Sequence, residues 1–159
     1  MVQSGQHRAV VAESEPRRLW SGGVGPAHGE VRAEPRGDVV AAVIEGSLCL
    51  VTSAGVVTAI EDLLDDVDGQ LIIDLSDVSF CDAHGARSLM GLRQHCEDHD
   101  VELVLTDPSA PVVRIFDRTR ISQSFDVDDE GKRWRPRGTV AGPGRRVEPR
   151  RREERGEGG

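Results

Sequence analysis

The chain of 159 residues contains no tyrosine, three phenylalanines and two tryptophans. A core with so few rings has to be built from Val, Leu and Ile. A surface that reads single-stranded nucleic acid by stacking bases on aromatic side chains is not expected either. No run approaches the roughly 18–20 apolar residues that carry a helix across a bilayer, so membrane insertion is not expected. The first twenty residues, MVQSGQHRAVVAESEPRRLW, lack the apolar segment of a secretory signal. The three cysteines, Cys49, Cys81 and Cys96, form no CxxC pair. An odd number of thiols without a secretory signal suits a reducing compartment, and a cytoplasmic location is expected. A Gly-rich phosphate loop, GxSxG and HExxH are all missing. Those absences remove the enzyme classes that announce themselves by such motifs.

Lysine is nearly absent as well, one against 19 arginines. We read this as coding bias, not chemistry. Charge is unevenly spread. Residues 38–130 carry 20 acidic and 5 basic side chains, whereas residues 131–159 carry 10 basic and 4 acidic. The acidic middle repels phosphates, so specific nucleic-acid binding is not expected. Many carboxylates invite thoughts of paired acid–base catalysis. Most of them fall on helix faces and loops, where charge confers solubility. Asp74 and Asp82 have no evident nucleophile beside them.

Composition divides the chain into three parts. Residues 1–29, rich in Gly, Arg, Glu and Pro, read as a disordered arm, with Leu19-Trp20 as an incidental apolar pair. Residues 30–130 read as one α/β domain. Residues 131–159 read as a basic disordered tail. Within the domain, residues 30–34 and 39–44 are expected to be strands joined by the turn Pro35-Arg36-Gly37-Asp38. The unbroken VVAAVI run fits a strand covered on both faces. Residues 53–67 form a helical pattern, with Val56, Ile60, Leu63 and Val67 on one face and Glu61, Asp62, Asp65 and Asp66 on the other. Ser53 is the expected N-cap and Gly69 the stop. A strand at 71–75, a helix at 83–99, a strand at 101–106, a short helix at 112–118 and an edge strand at 125–127 follow. Asp107 or Ser109 is the expected cap of that short helix. Strands alternating with helices imply a parallel or mixed sheet of four to five strands with helices packed against it.

The stretch LIIDLSDVSFCDAHGAR, residues 71–87, reads as a buried strand, a loop and a helix start. It resembles the core motif of the STAS family, whose founding members are bacterial anti-sigma factor antagonists. The resemblance covers about residues 30–130. It is carried by Ile72-Ile73-Asp74-Leu75-Ser76, by Val78-Ser79-Phe80-Cys81-Asp82 with Gly85, by Val101–Leu105, and by Pro111-Val112-Val113-Arg114-Ile115-Phe116.

In that family a Ser or Thr follows the loop Asp and is phosphorylated by a kinase that is also an anti-sigma factor. Here that position is Ala83, which has no oxygen to accept phosphate, and the next is His84, which we read as a solvated ring. The segment Glu45-Gly46-Ser47-Leu48-Cys49 is similar to the family's Gly-Glu-Leu-Asp, with Ser47 in place of the Glu and Cys49 in place of the Asp.

The resemblance implies a binding protein with no catalytic activity and no cofactor. Its partner would be an anti-sigma factor of the kinase-like type, and self-association is open to it. The implied contact residues are Cys49, Asp82, Ala83, His84, Gly85, Ala86 and Arg87. The alternative is a STAS scaffold or ligand-sensing module within a stress-sensing or lipid-transport assembly. Ser76, Ser79 and Ser88 are the remaining hydroxyls near the loop; Ser88 lies inside the helix and Ser79 reads as a turn residue. His95 and His99 have the i, i+4 spacing of a metal pair. Cys96 fits the buried stripe between them and HCEDHD suits a solvated face, so no metal is expected.

Overall fold

The computed structural model describes residues 15–138. Seven strands form one sheet: β1 (Arg17–Val24), β2 (Ala27–Arg36), β3 (Val39–Leu48), β4 (Gln70–Cys81), β5 (Glu102–Thr106), β6 (Phe125–Val127) and β7 (Arg133–Pro136). Their spatial order is β1-β2-β3-β4-β5-β7-β6. The centre, β3-β4-β5, is parallel, and the flanking pairs are antiparallel. Three helices, α1 (Ser53–Leu64), α2 (Ala83–Asp98) and α3 (Ala110–Arg118), are the described helices, with a 3₁₀ turn at Ile121–Ser124.

Strand alternation explains the two faces. Val31 and Ala33, Val40, Ala42 and Ile44, Leu71, Ile73 and Leu75, and Leu103 and Leu105 join the apolar faces of the helices in one core. The helices contribute Val56, Ile60, Leu63 and Leu64, then Ala86, Leu89, Leu92 and Cys96, then Val112 and Phe116. Ala41, Val43, Ile72 and Val104 point to the opposite face and are also buried, as the continuous apolar run of β3 requires. That face is framed by ion pairs. Arg32 pairs with Glu34 and Glu45, Arg36 pairs with Glu34 and Asp74, and Arg135 pairs with Glu102.

The α/β class and the mixed sheet match the expectation, but the sheet is larger than the four to five strands expected. Part of the supposed arm is β1, which pairs with β2 through a turn containing Gly25 at φ 55°. β1 is an edge strand, and apart from Leu19, Trp20 and Val24 its residues are Arg, Ser and Gly. Trp20 is not incidental: it packs against the core over the first turn of α1, where a Cβ on Gly55 would lie 2.2 Å from its ring. Part of the supposed tail is β7, anchored by Trp134, which is 7% exposed. Trp134 meets Phe116 edge-on at 5.6 Å and Phe125 at 6.0 Å, so three of the five aromatics cluster at one end of the sheet. The rest of the expected arm and tail, residues 1–14 and 139–159, lies outside the described residues.

Helix boundaries shifted for identifiable reasons. Thr52, not Ser53, is the N-cap of α1, and its hydroxyl donates backwards to the Ser47 carbonyl at 2.7 Å. The helix ends at Leu64, and residues 65–69 turn through Gly69 (φ 93°) into β4. At α3 the N-cap is Ser109, but its hydroxyl donates to the Val78 carbonyl at 2.6 Å, tying the helix to β4.

Candidate functional site

The site forms where the carboxyl ends of β3 and β4 run into the helices that follow them. The last residues of these strands pair, Leu48 with Cys81. Each then turns, one into α1 and the other into α2. Asp82 joins the two turns. Its Oδ1 accepts from the Gly85 N–H at 2.7 Å, capping α2, and its Oδ2 accepts from the Leu50 N–H at 3.1 Å. Its own N–H donates to the Leu48 carbonyl at 3.3 Å. One carboxylate thus fixes the helix start and the neighbouring turn in a single frame, at the end of α2 where negative charge is favoured.

Gly85 is required by packing. A Cβ there would lie 2.1 Å from the Leu48 carbonyl oxygen, so no larger residue fits without moving backbone. Gly46 meets a similar limit, with φ 89° and a Cβ position 2.5 Å from the His28 carbonyl. It sits among the register shifts between β3 and β4 just before the site, where β4 carries the extra residues.

The contact residues expected from the sequence converge, but they differ in reach. Cys49 is 5% exposed. Its N–H donates to the Thr52 hydroxyl at 3.1 Å, and its Sγ lies 3.8 Å from the same oxygen. Gly85 and Ala86 are buried in the joint between α2 and the sheet. These three shape the site from beneath and cannot themselves touch a partner. Asp82 and Ala83 are half-buried, and His84 and Arg87 are exposed.

Sequence reasoning missed the apolar rim. Leu50 (65% exposed) and Val51 (47%) sit on the turn after β3, and Phe80 (53%) lies two residues before Asp82. Leu50 and Val51 fall outside the helical period, between a strand end and a helix start. An apolar pair left in a turn was the available signal.

The cysteines are free and buried. Burial, the Asp82 carboxylate and Cys49 push the Cys81 thiol up to about 12. Burial and Glu97 do the same for Cys96, also to about 12. Neither thiol is a ready nucleophile at neutral pH.

His95 and His99 do not converge on one point. His95 Nε2 lies 2.7 Å from Glu61 Oε2 and His99 Nε2 3.4 Å from Asp65 Oδ1, each bridging to α1. Among the described residues no group of three His, Cys, Asp or Glu side chains is placed to hold a metal.

Asp74, at the end of the apolar half of β4, has a structural task. Burial pushes its pKa up, but the Ser76 N–H and hydroxyl and the Arg36 guanidinium overcome this and hold it below the ordinary carboxylate range.

This architecture has a name. The STAS domain family matches residues 30–132, and the chain belongs to that family. No curated protein matches the chain. The first strand and the start of the second lie outside the matched stretch, as does β7. The sheet of this chain thus continues beyond the matched stretch at its first edge and, through β7, between β5 and β6. No helix among the described residues is long and apolar enough to cross a membrane.

Proposed function

We propose that this STAS protein is a non-enzymatic, cytoplasmic regulator of the anti-sigma factor antagonist type in a bacterial partner-switching system. It binds a kinase-like anti-sigma factor and so releases a sigma factor. The observation that supports this reading is the state of the α2 start. The frame built by Asp82, Gly85 and the Leu48–Leu50 turn is intact, while the position that carries the phosphorylated hydroxyl in that family is Ala83. A frame kept without its acceptor suits a binder that is not released by phosphorylation at this usual position. The apolar rim of Leu50, Val51 and Phe80, beside exposed His84 and Arg87, offers the mixed apolar and polar character of a protein interface.

The test is titration calorimetry of the full chain against each kinase-type anti-sigma factor of the source cell. We expect one partner to bind at micromolar affinity or better, with Leu50→Asp weakening it at least tenfold. Leu50 is exposed, so the substitution spares the core. An absence of binding to every such factor rejects the reading.

A further inference from the structure

A cleft of about 210 Å³ opens between the end of β4 and α3, lined by Ser79, Phe80, Cys81, Pro111, Arg114, Ile115 and Arg118. It lies outside the frame built by Asp82, and two of its features are unexplained by packing. The first is Ser79. It is exposed, and its hydroxyl makes no hydrogen bond among the described residues. The neighbouring serines are all committed: Ser76 to Asp74 at 2.7 Å, Ser88 to the Gly85 carbonyl at 2.6 Å, and Ser109 to the Val78 carbonyl at 2.6 Å. Ser47 and Ser53 are buried.

The second feature is the pair Arg114 and Arg118, one turn apart on α3 and exposed. Residues 38–130 hold 20 carboxylates and 5 arginines, an excess that gives every cation a choice of partners. Arg93 takes one, Glu97. Arg87, Arg114, Arg118 and Arg120 take none among the described residues, and of these four Arg114 and Arg118 line the cleft with the free hydroxyl.

We propose that Ser79 is a phosphoacceptor and that Arg114 and Arg118 receive its phosphate across the cleft. Phosphoserine brings close to two negative charges and three acceptor oxygens, which guanidinium groups bind by charge-assisted, often bidentate hydrogen bonds. The donor is ATP held by a serine kinase. The Ser79 Oγ attacks the γ-phosphorus, the bond from that phosphorus to the ADP oxygen breaks, and the hydroxyl proton passes to the kinase's base. The product is ADP and phosphoserine. The new charge stands beside Phe80, on the apolar rim. If the chain is an anti-sigma factor antagonist, this supplies the release step that Ala83 does not. That consequence rests on the proposed function, but the modification itself does not.

Two assays test it, and neither contains an anti-sigma factor. In the first, the full chain is incubated with γ-labelled ATP and an extract of the source cells. Label is expected on the wild type, with at least a tenfold loss in Ser79→Ala. Equal label on Ser79→Ala, or none on the wild type, overturns the proposal. In the second, phosphoserine is installed at position 79 by suppression and its phosphorus resonance is titrated. The second ionisation is expected below the ordinary value of about 6, and to return to it in the Arg114→Gln/Arg118→Gln chain. An ionisation unmoved by the double substitution overturns the arginine assignment.

Discussion

Asp82 shows how much one side chain can organise. Its two oxygens accept from backbone N–H groups on different turns, Gly85 and Leu50. Asp82→Ala should therefore cost more than an ordinary cap, about 1–2 kcal/mol for the cap and about 1 kcal/mol for the Leu50 bond. Gly85→Ala should be at least as damaging, because the clash at 2.1 Å is with backbone that cannot rotate away. Urea denaturation of both variants checks this, with Asp82→Asn expected to fall between the wild type and Asp82→Ala, because its one amide oxygen can accept from Gly85 but its NH2 cannot accept from Leu50. An Asp82→Ala chain as stable as the wild type would refute the bridging role. The capping role of Asp82 was legible in the sequence, since an Asp before a small-residue helix start is a cap signal. The burial of Ala86 was legible, since it falls in the same stripe as Leu89 and Cys96, yet the resemblance placed it with Gly85 among the contact residues. The burial of Cys49 depends on Thr52 folding back over it, a contact no local pattern encodes.

Among the elements, legibility followed burial. α1 and α2 carry strong apolar periods and were placed within a few residues, whereas β4, expected at 71–75, runs on to Cys81 through the stretch read as a loop, so that Ser79 lies in a strand and not in a turn. β1 and β7 were missed because edge and reinforcing strands need little apolar content. RRLWSGGV and RWRP are held by one tryptophan each and by backbone pairing. The ion pairs on the face of the sheet opposite the core were also hidden, since they join residues as far apart in sequence as Arg36 and Asp74, at 2.7 Å. This network makes acid sensitivity predictable. The Asp74 pKa is lowered in the folded protein by its Ser76 and Arg36 partners against the opposing effect of burial. Its charged form therefore contributes stability at pH values above the unfolded pKa of about 3.9. The contribution is lost as the pH falls through the lower folded value. Asp74→Asn should be less stable than the wild type by on the order of 1–2 kcal/mol at pH 7. The difference should hold down to about pH 5 and shrink below about pH 4, as read from urea midpoints at stepped pH. A difference independent of pH would mean that the charge is not what stabilises.

At the scale of the whole molecule, the family match ends at residue 132, yet the fold does not. β7 is inserted between β5 and β6, so β6 is linked to the sheet only through it. Trp134 completes the cluster with Phe116 and Phe125, whose rings stack at 6.0 Å. Its indole N–H donates to the Gly131 carbonyl at 3.1 Å. A chain ended at Lys132 should therefore lose about 3–5 kcal/mol, the scale of deleting a buried aromatic side chain, with the loss of the β5–β7 and β7–β6 pairing added to it. Trp134→Phe in the full chain should cost less, because it keeps an aromatic ring in the cluster and gives up mainly the indole bond. The pair of variants separates the two contributions: strand pairing is lost only in the shortened chain. Thermal unfolding followed by far-UV circular dichroism reads both. Equal stability of the shortened and full chains would show that the fold up to Lys132 is self-sufficient and that β7 is an ornament on it. A large deficit would show that this STAS domain has made its end strand part of its core.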